Sequence, residues 1–405
     1  MTGAGSASAS PRDARSDPVA ITRDLVRIPS HVGSGSDEVE VAEYIEAFLS
    51  SSTLFALSRQ KVKGRRYNLV ARSDHRPAGL LLAGHMDTVD PKAGWSGDRD
   101  QFAAEVDGGM LFGLGSLDMK SGIAAILAAA ASLTYVPDGL ELLFYCDEEY
   151  DFAGMRTYIE RHRGEPPRRC VIAEPTDLLI RTDQRGLVEV DLTVTGVTGH
   201  SSNPEGGTNA IDGIWSVIER TRAWLSRFAS PSLGAPTVNV AFLRGGLRPA
   251  DPTKSPVEIL GRRGNNIADW AEAVIEVRTT TEECRAEPLV EYMRAQAGAL
   301  GLGVEEVLVR HDLGAMTVQR EEVAFVEDAL RDAGLGVSHA EDGKRRGYSD
   351  VAMLRSAWGV PVATLGPRGS GMHAVDECVE IASIRRLQAA ITSLIGVCCA
   401  PTRDR

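Results

Sequence analysis

The sequence has few cysteines, few aromatic residues and no long apolar run. Its six cysteines form no CxxC pair and no regular disulfide framework, so a reduced, cytoplasmic chain is expected. The longest apolar stretch, GIAAILAAAASL at 122–133, is too short to span a bilayer. The N-terminus lacks the apolar core of a secretory signal. We therefore expect no membrane partner.

Positive charge is also scarce. Lysine and arginine number 44 against 56 acidic residues, a formal net charge of −12, and no basic block offsets it. A nucleic-acid partner is therefore not expected. At 405 residues the chain is long enough for two domains. Residues 1–17, MTGAGSASASPRDARSD, are small and polar and are predicted to be disordered.

Helical and strand patterns alternate over residues 18–186, where the strand candidates are YNLVAR, GLLLAGH, LELLFYC and CVIAEP. This alternation predicts a mostly parallel sheet covered by helices. From residue 187 the pattern changes to strands with one polar face, such as LVEVDLTVTG. We predict an α/β catalytic domain formed by 18–186 and 316–405. An inserted α+β lid, 187–315, would have an antiparallel sheet and two helices.

Polar residues capable of binding metals follow several of the predicted strands. In LLLAGHMDTVDP, His85 and Asp87 are two residues apart and would share one face at a strand end. The carboxyl ends of parallel strands meet at one edge of a sheet, where ligand sites gather. The acidic residues at or near that edge are Asp118 in GLGSLDMKSG, Glu148 and Glu149 after LELLFYCD, and Glu174 after CVIA.

Each of these features has an ordinary structural explanation when it is taken alone. The HxD pair could be a strand-end hydrogen bond, the Glu-Glu pair a solvated turn, Asp118 a helix N-cap, and His373 in GMHAVDE a surface residue. Their joint occurrence favours a metal centre, because carboxylates crowded at one edge repel one another unless a cation neutralises them. Mixed His/Asp/Glu ligands suit zinc. Two histidines and three carboxylates would serve two ions if one carboxylate bridges them.

The motifs GHMDTV, GLGSLDMKSG, CDEE, AEPTD, GHSSNPEGGTNAI and GMHAVDE resemble those of the zinc aminoacylase/carboxypeptidase family. That family includes acetylornithine deacetylase, succinyl-diaminopimelate desuccinylase and glutamate carboxypeptidase. The resemblance runs in order over about residues 65–385. It implies a split catalytic domain with an inserted lid, and homodimers joined through the lids.

The resemblance also implies a role for each candidate residue. Two Zn²⁺ ions, for which Co²⁺ or Mn²⁺ can substitute, would share Asp118 as a bridging ligand. Glu148 would be the general base acting on the water between them, and Asp87 would orient a histidine ligand. The remaining ligands would be His85 and Glu174 at one ion, and Glu149 and His373 at the other.

Four further residues are candidates for substrate recognition by the same resemblance. His200 in GHSSNPEGG would donate to the developing oxyanion from the lid, in its own chain or in the partner; the alternative is a histidine that caps the following serine turn. Asn266 and Arg278 would bind the substrate carboxylate, although Arg278 could instead form a surface ion pair. Gly369, in the loop GPRGSG, would add backbone N–H donors.

The implied activity is metal-dependent hydrolysis of the amide bond of an N-acyl amino acid. A carboxypeptidase or dipeptidase that releases a C-terminal residue is the alternative, and a binding or amide-forming relative is a further one. Three places depart from the family pattern and leave the substrate open. Relatives usually have proline where Ala268 stands. The other two are the insertion around 247–265 and the stretch YDFAGM, where Tyr150 and Asp151 would line an altered pocket.

Overall fold

The computed structural model describes residues 16–51, 54–74, 76–135, 137–248, 264–340 and 348–399. Most of the predicted disordered segment 1–17 and of the insertion 247–265 lies outside these residues. The chain divides into two compact units. The first comprises the described parts of Met1–Thr182, Val318–Glu341 and Met353–Arg405, and the second those of Asp183–Thr317 and Asp342–Ala352.

The described helices are numbered in chain order. They are α1 (Pro18–Val26), α2 (Val39–Ser50), α3 (Ser121–Ser132), α4 (Ala153–Arg161), α5 (Ala210–Leu225), α6 (Ala286–Ala299), α7 (Ala324–Asp332), α8 (Val351–Trp358) and α9 (Ile381–Cys399). Short 3₁₀ turns span Ser96–Asp98, Pro204–Gly206, Glu282–Cys284 and Arg320–Val323, and a π turn spans Ser116–Lys120.

The described strands are numbered in the same way. They are β1 (Ala56–Lys63), β2 (Arg66–Arg72), β3 (Leu80–His85), β4 (Glu105–Asp107), β5 (Met110–Phe112), β6 (Leu140–Tyr145), β7 (Cys170–Ile172), β8 (Asp183–Gln184), β9 (Leu187–Thr195), β10 (Thr237–Gly246), β11 (Trp270–Arg278), β12 (Gly303–Leu313), β13 (Met316–Thr317), β14 (Val362–Thr364), β15 (Gly369–Ser370) and β16 (Cys378–Glu380).

The main sheet of the first unit has the order β1-β2-β6-β3-β7-β14. Strands β6, β3, β7 and β14 pair in parallel, while β2 joins β6 and β1 joins β2 in antiparallel fashion. Every residue of the four parallel strands is buried, as expected when helices cover both faces of a sheet. The predicted mostly parallel α/β sheet is confirmed.

Helix α3 is rich in alanine, and ten of its residues are buried. It packs against α1, α9 and β3. Small residues allow this close approach: a Cβ atom on Gly84 of β3 would lie 2.9 Å from Met119 Cε and 3.0 Å from Ile123 Cγ1. The helix therefore lies close against the sheet and fixes the turn that precedes it.

The second unit has an antiparallel sheet of order β10-β11-β9-β12. Buried and half-buried residues alternate along β9 and β11, the pattern of strands with one face on a core and one toward solvent. Helices α5 and α6 supply the rest of that core, with residues such as Ile214, Val217 and Leu289. The predicted antiparallel sheet with two helices is confirmed.

Three parts of the fold are absent from the sequence prediction. Strand β1 is polar and half exposed. Strand β12 carries two register shifts, at Val304/Glu306 and Val309/His311, which break the apolar alternation on which a strand prediction rests. The third part is a small sheet of order β15-β16-β5-β4, whose strands of two or three residues are too short to show any periodicity.

Helix α9 is long and apolar enough, by length and composition alone, to cross a membrane. In the structure it packs against α1, α3 and α7. Its buried face includes Ile384, Leu387, Ile391 and Leu394. These contacts are those of a core helix of the first unit.

We expect Gly122→Ala to destabilise the protein. A Cβ atom on Gly122, the second residue of α3, would lie 2.3 Å from the carbonyl oxygen of Ala173, so the helix must move away from the end of β7. The expected loss is about 1–3 kcal/mol in the free energy of unfolding, measured in urea. Gly396→Ala in α9 is the matched control, since nothing lies within 4 Å of its Cβ position. That substitution should stabilise by up to about 1 kcal/mol, and equal effects of the two would contradict the packing argument.

Candidate metal centre

The candidate site lies at the carboxyl ends of three neighbouring parallel strands. His85 is the last residue of β3, Glu148 and Glu149 follow β6, and Glu174 follows β7. Strand β3 is hydrogen-bonded to both β6 and β7, so the three strand ends adjoin. All of these residues belong to the first unit.

Asp118 lies between two histidines. It belongs to the buried π turn before α3, and the peptide bond that follows it is cis. One carboxylate oxygen, Oδ1, is 3.2 Å from His85 Nε2, and the other, Oδ2, is 3.2 Å from His373 Nε2. A single carboxylate thus faces both histidines through different oxygens.

Two groups of potential metal ligands share this carboxylate. In each, the ligand atoms lie within 4.8 Å of one another, and the groups are His85–Asp118–Glu174 and Asp118–Glu149–His373. A third group combines His85 with Glu148 and Glu149. Imidazole and carboxylate donors at this spacing suit zinc and related divalent ions. The five predicted ligands are therefore brought together, with Asp118 in the shared position.

The electrostatics of these side chains also indicates a site that could bind cations. Burial would raise the pKa of Asp118, but hydrogen bonds from His373 and His85 outweigh it and lower that pKa. Hydrogen bonds to Asp118 and Glu149 raise the pKa of His373 to about 10. Burial opposes the protonation of His85, yet Glu174 and Asp118 raise its pKa well above the usual value. The two imidazoles thus hold protons that balance the carboxylates, and divalent ions would replace those protons.

Asp87 connects the end of β3 to the turn after β6. Its carboxylate accepts hydrogen bonds from the backbone N–H groups of Glu148 at 3.1 Å and Glu149 at 2.9 Å. His85 Nδ1 lies closer to the backbone carbonyl oxygen of Asp87, at 3.1 Å, than to its carboxylate, at 3.6 Å. A proton on Nδ1 donated to that carbonyl leaves Nε2 free to bind a metal. The sequence predicts that the Asp87 side chain orients His85. In the structure the backbone carbonyl of Asp87 is the nearer partner of the ring.

Glu377 was not identified from the sequence. It is 1 % exposed, and its carboxylate accepts hydrogen bonds from the backbone N–H groups of Gly115, Leu117 and Asp118 at 2.8, 2.9 and 3.0 Å. Burial raises its pKa to about 7. The residue lies four positions after His373 in GMHAVDE, so one short motif supplies a potential ligand and the acceptor that holds the Asp118 turn.

The His373 loop is held by a second loop that sequence reasoning also missed. His373 has a positive φ of 59°, and its carbonyl oxygen accepts a hydrogen bond from Lys92 Nζ. Ser96 donates its backbone N–H, at 2.9 Å, and its hydroxyl, at 2.6 Å, to the carboxylate of Asp376. Residues 92–96 thus fix the exposed loop that carries His373.

His200 and Asn266 lie together in the second unit. Their backbones form an isolated antiparallel bridge, and both residues are exposed. The backbone N–H of Ser202 donates to His200 Nδ1 at 3.2 Å. This contact is the serine-turn cap considered as an alternative. It also fixes the tautomer of the neutral ring, because an accepting Nδ1 leaves the proton on Nε2.

Arg278 and Gly369 have local structural partners. Arg278 Nε donates to Glu276 at 2.9 Å, the ion pair considered as its alternative. Arg278 ends β11, whereas Asn266 lies four positions before its first residue, so the nine-residue strand, about 30 Å long, lies between them. A Cβ atom on Gly369 would lie 2.1 Å from Cys378 O, which explains glycine there by packing alone.

Curated relatives match this chain along nearly its whole length. Succinyl-diaminopimelate desuccinylase of Phenylobacterium zucineum is 29 % identical, over 94 % of this chain and 98 % of its own. The enzyme of the same name from Cereibacter sphaeroides is 30 % identical, over 92 % and 96 %.

Solved structures share the fold. A tripeptidase from Staphylococcus aureus superposes with a TM-score of 0.72 at 20 % identity, covering 94 % of this chain and 97 % of its own. A metallo-carboxypeptidase from Sulfolobus solfataricus gives 0.70 at 15 % identity, covering 94 % and 99 %. The model of peptidase family M20/M25/M40 matches residues 81–396. The chain belongs to this family and is a hydrolase that acts on amide bonds.

Proposed function

We propose that the chain is a deacylase that hydrolyses the amide bond of an N-acyl amino acid with the help of two divalent metal ions, Zn²⁺ in the first place. The observation that carries the proposal is the position of Asp118, whose two oxygens each lie 3.2 Å from a different histidine. His85 and Glu174 would complete one site, and Glu149 and His373 the other. Bound ions would polarise the scissile carbonyl group and lower the pKa of the attacking water.

Glu148 is the proposed proton carrier. It is 8 % exposed, and its backbone is tied to Asp87 beside the ligand Glu149. The carboxylate would take a proton from the attacking water and deliver it to the leaving nitrogen, which completes the conversion of amide and water to acid and amine. One of its carboxylate oxygens lies within 4.8 Å of potential ligand atoms of His85 and Glu149, which suits that transfer.

His200 is the proposed oxyanion donor. With Nδ1 occupied by the Ser202 N–H, Nε2–H is available to the oxygen that gains negative charge in the transition state. Asn266 lies beside it and would contact the same end of the substrate. Mixing of variant subunits distinguishes whether His200 acts in its own chain or in a partner.

Substrate carboxylate recognition favours a homodimer in this proposal. Asn266 and Arg278 flank opposite ends of β11, so they cannot hold one small carboxylate within a single chain. Lids of two chains placed side by side would allow one chain to supply Asn266 and the other Arg278, with Gly369 as a backbone contributor. All six cysteines are unpaired, in keeping with a cytoplasmic enzyme.

We expect metal-dependent release of free amino acid from N-acetyl, N-succinyl or N-formyl amino acids. Activity would be measured by amine release with Zn²⁺ or Co²⁺ and should fall to background after chelation. Faster turnover of dipeptides would favour the carboxypeptidase or dipeptidase alternative. If protein shown to hold two metal ions hydrolyses none of these N-acyl amino acids or dipeptides, the proposal is refuted.

Substitutions at the adjacent residues Glu148 and Glu149 should distinguish the proposed general base from the proposed metal ligand. Glu148→Gln should lower kcat by about 10²–10⁴-fold because the proton carrier is lost, with the metal content unchanged. Glu149→Gln is the matched variant and should lose one metal ion. Metal content would be measured by mass spectrometry after dialysis, and loss of metal from the Glu148 variant would contradict its role.

His200→Ala should lower kcat by about 10²–10³-fold with little change in KM, since the donor acts on the transition state. Ser202→Ala removes the hydroxyl that lies 2.8 Å from His200 Nδ1 but keeps the backbone N–H donor, so it should cost much less activity than His200→Ala. If His200 acts across a dimer, mixing the inactive His200→Ala and Glu148→Gln chains should restore part of the activity. No recovery after verified subunit exchange would place His200 in its own chain.

A further inference from the structure

The turn that carries Glu148 and Glu149 is held by buried side chains. Strand β6 ends at Tyr145, and the next four backbone N–H groups each donate to a side-chain oxygen from another part of the first unit. The bonds are Cys146 N to Asn68 Oδ1 at 3.3 Å, Asp147 N to Glu38 Oε1 at 3.0 Å, Glu148 N to Asp87 Oδ1 at 3.1 Å, and Glu149 N to Asp87 Oδ2 at 2.9 Å.

One arginine neutralises the acidic part of this support. Arg66 Nε donates to Glu38 Oε2 at 2.7 Å, and Arg66 Nη2 donates both to Glu38 Oε1 and to Asp147 Oδ1, the latter at 2.7 Å. The three side chains are 8 %, 1 % and 5 % exposed. Two carboxylates buried this deeply need a cation, and the planar guanidinium contacts both at once.

The register of the sheet explains why Arg66 and Asp147 are in contact. Strands β2 and β6 pair Leu69 with Phe144 and Arg72 with Glu141. Continued to the other end of the ladder, the same register sets Arg66 opposite position 147. Arg72 also contacts its opposite residue, with Nε 3.0 Å from Glu141 Oε2. Thus β2 has an arginine–carboxylate pair at each end, and the Arg66 pair is the one that adjoins the turn of Glu148 and Glu149.

We propose that Arg66 is a positioning residue for the metal centre: its guanidinium holds Glu38 and Asp147 so that the turn presents Glu149 to the metal and Glu148 to the attacking water. The inference rests on the proposed roles of these two glutamates. Arg66 acts through Glu38 and Asp147, because Glu38 accepts the backbone N–H of Asp147, the residue that precedes Glu148. Lysine cannot replace it fully, because one ammonium nitrogen cannot reproduce a two-pronged contact.

The test compares Arg66→Lys with Arg72→Lys, which makes the same change at the other end of β2. Co²⁺ is titrated into metal-free protein by calorimetry and visible absorption, and kcat and KM are measured on the best amide substrate. For Arg66→Lys we expect one Co²⁺ equivalent, that of the site containing Glu149, to lose about 10–100-fold in affinity. The affinity of the other equivalent should change less than 3-fold, and kcat should fall with KM nearly constant. Arg72→Lys should match wild type in all of these.

The outcomes distinguish positioning from general stability. Wild-type Co²⁺ affinities and kcat in Arg66→Lys, or equal losses in both variants together with lower Tm, would overturn the inference. If Arg66→Lys does not fold, Asp147→Ala serves instead, since it leaves the Arg66–Glu38 pair intact. If wild-type protein binds two Co²⁺ ions but hydrolyses no amide, the proposed function fails, while the Co²⁺ titrations still decide the role of Arg66.

Discussion

The mutual repulsion of buried carboxylates is the constraint on which this structure depends. Asp118, Glu149 and Glu174 converge with two histidines at one sheet edge, and such an assembly is stable only with compensating positive charge. Hydrogen bonds to Asp118 and Glu149 raise the pKa of His373 to about 10, so the protonated imidazole supplies part of that charge. Divalent cations would meet the same requirement, because they supply more positive charge than the protons they displace.

The turns that carry these carboxylates have irregular backbone. Their N–H groups therefore need hydrogen-bond acceptors outside the sheet. The turns after β6 and before α3 leave N–H groups that no β-ladder satisfies, and buried N–H groups without acceptors are costly. Here carboxylates accept them: Glu377 for the Asp118 turn, and Asp87 and Glu38 for the Glu149 turn. The supports are therefore themselves anionic. This explains why a buried arginine, Arg66, contacts the carboxylates that support the candidate metal centre.

Sequence reasoning identified the residues that stand at strand ends, because a buried strand and the polar residue after it are adjacent in the chain. The α/β sheet and the geometry around His85, Glu149 and Glu174 followed from that local signal. Residues that act over long separations gave no such signal: Glu377 contacts a turn about 260 positions earlier, and Arg66 reaches a residue 81 positions later. A lone buried acid or arginine has no periodicity or motif of its own, so only the folded topology reveals its partner.

The candidate ligands and most of the candidate substrate-binding residues lie in different units, and this explains why the substrate is harder to infer than the reaction. The five candidate metal ligands and the proposed base belong to the first unit, and amide hydrolysis places similar demands on them whatever the acyl group. His200, Asn266 and Arg278 belong to the second unit, where exposed residues can change without disturbing the ligands. Near the ligands, Tyr150 donates to Asp90 at 3.1 Å beside Glu149, in the segment that departs from the family pattern. Substrate choice is therefore best sought in these positions, because proteins named as a tripeptidase, a metallo-carboxypeptidase and a succinyl-diaminopimelate desuccinylase all resemble this chain along nearly its whole length.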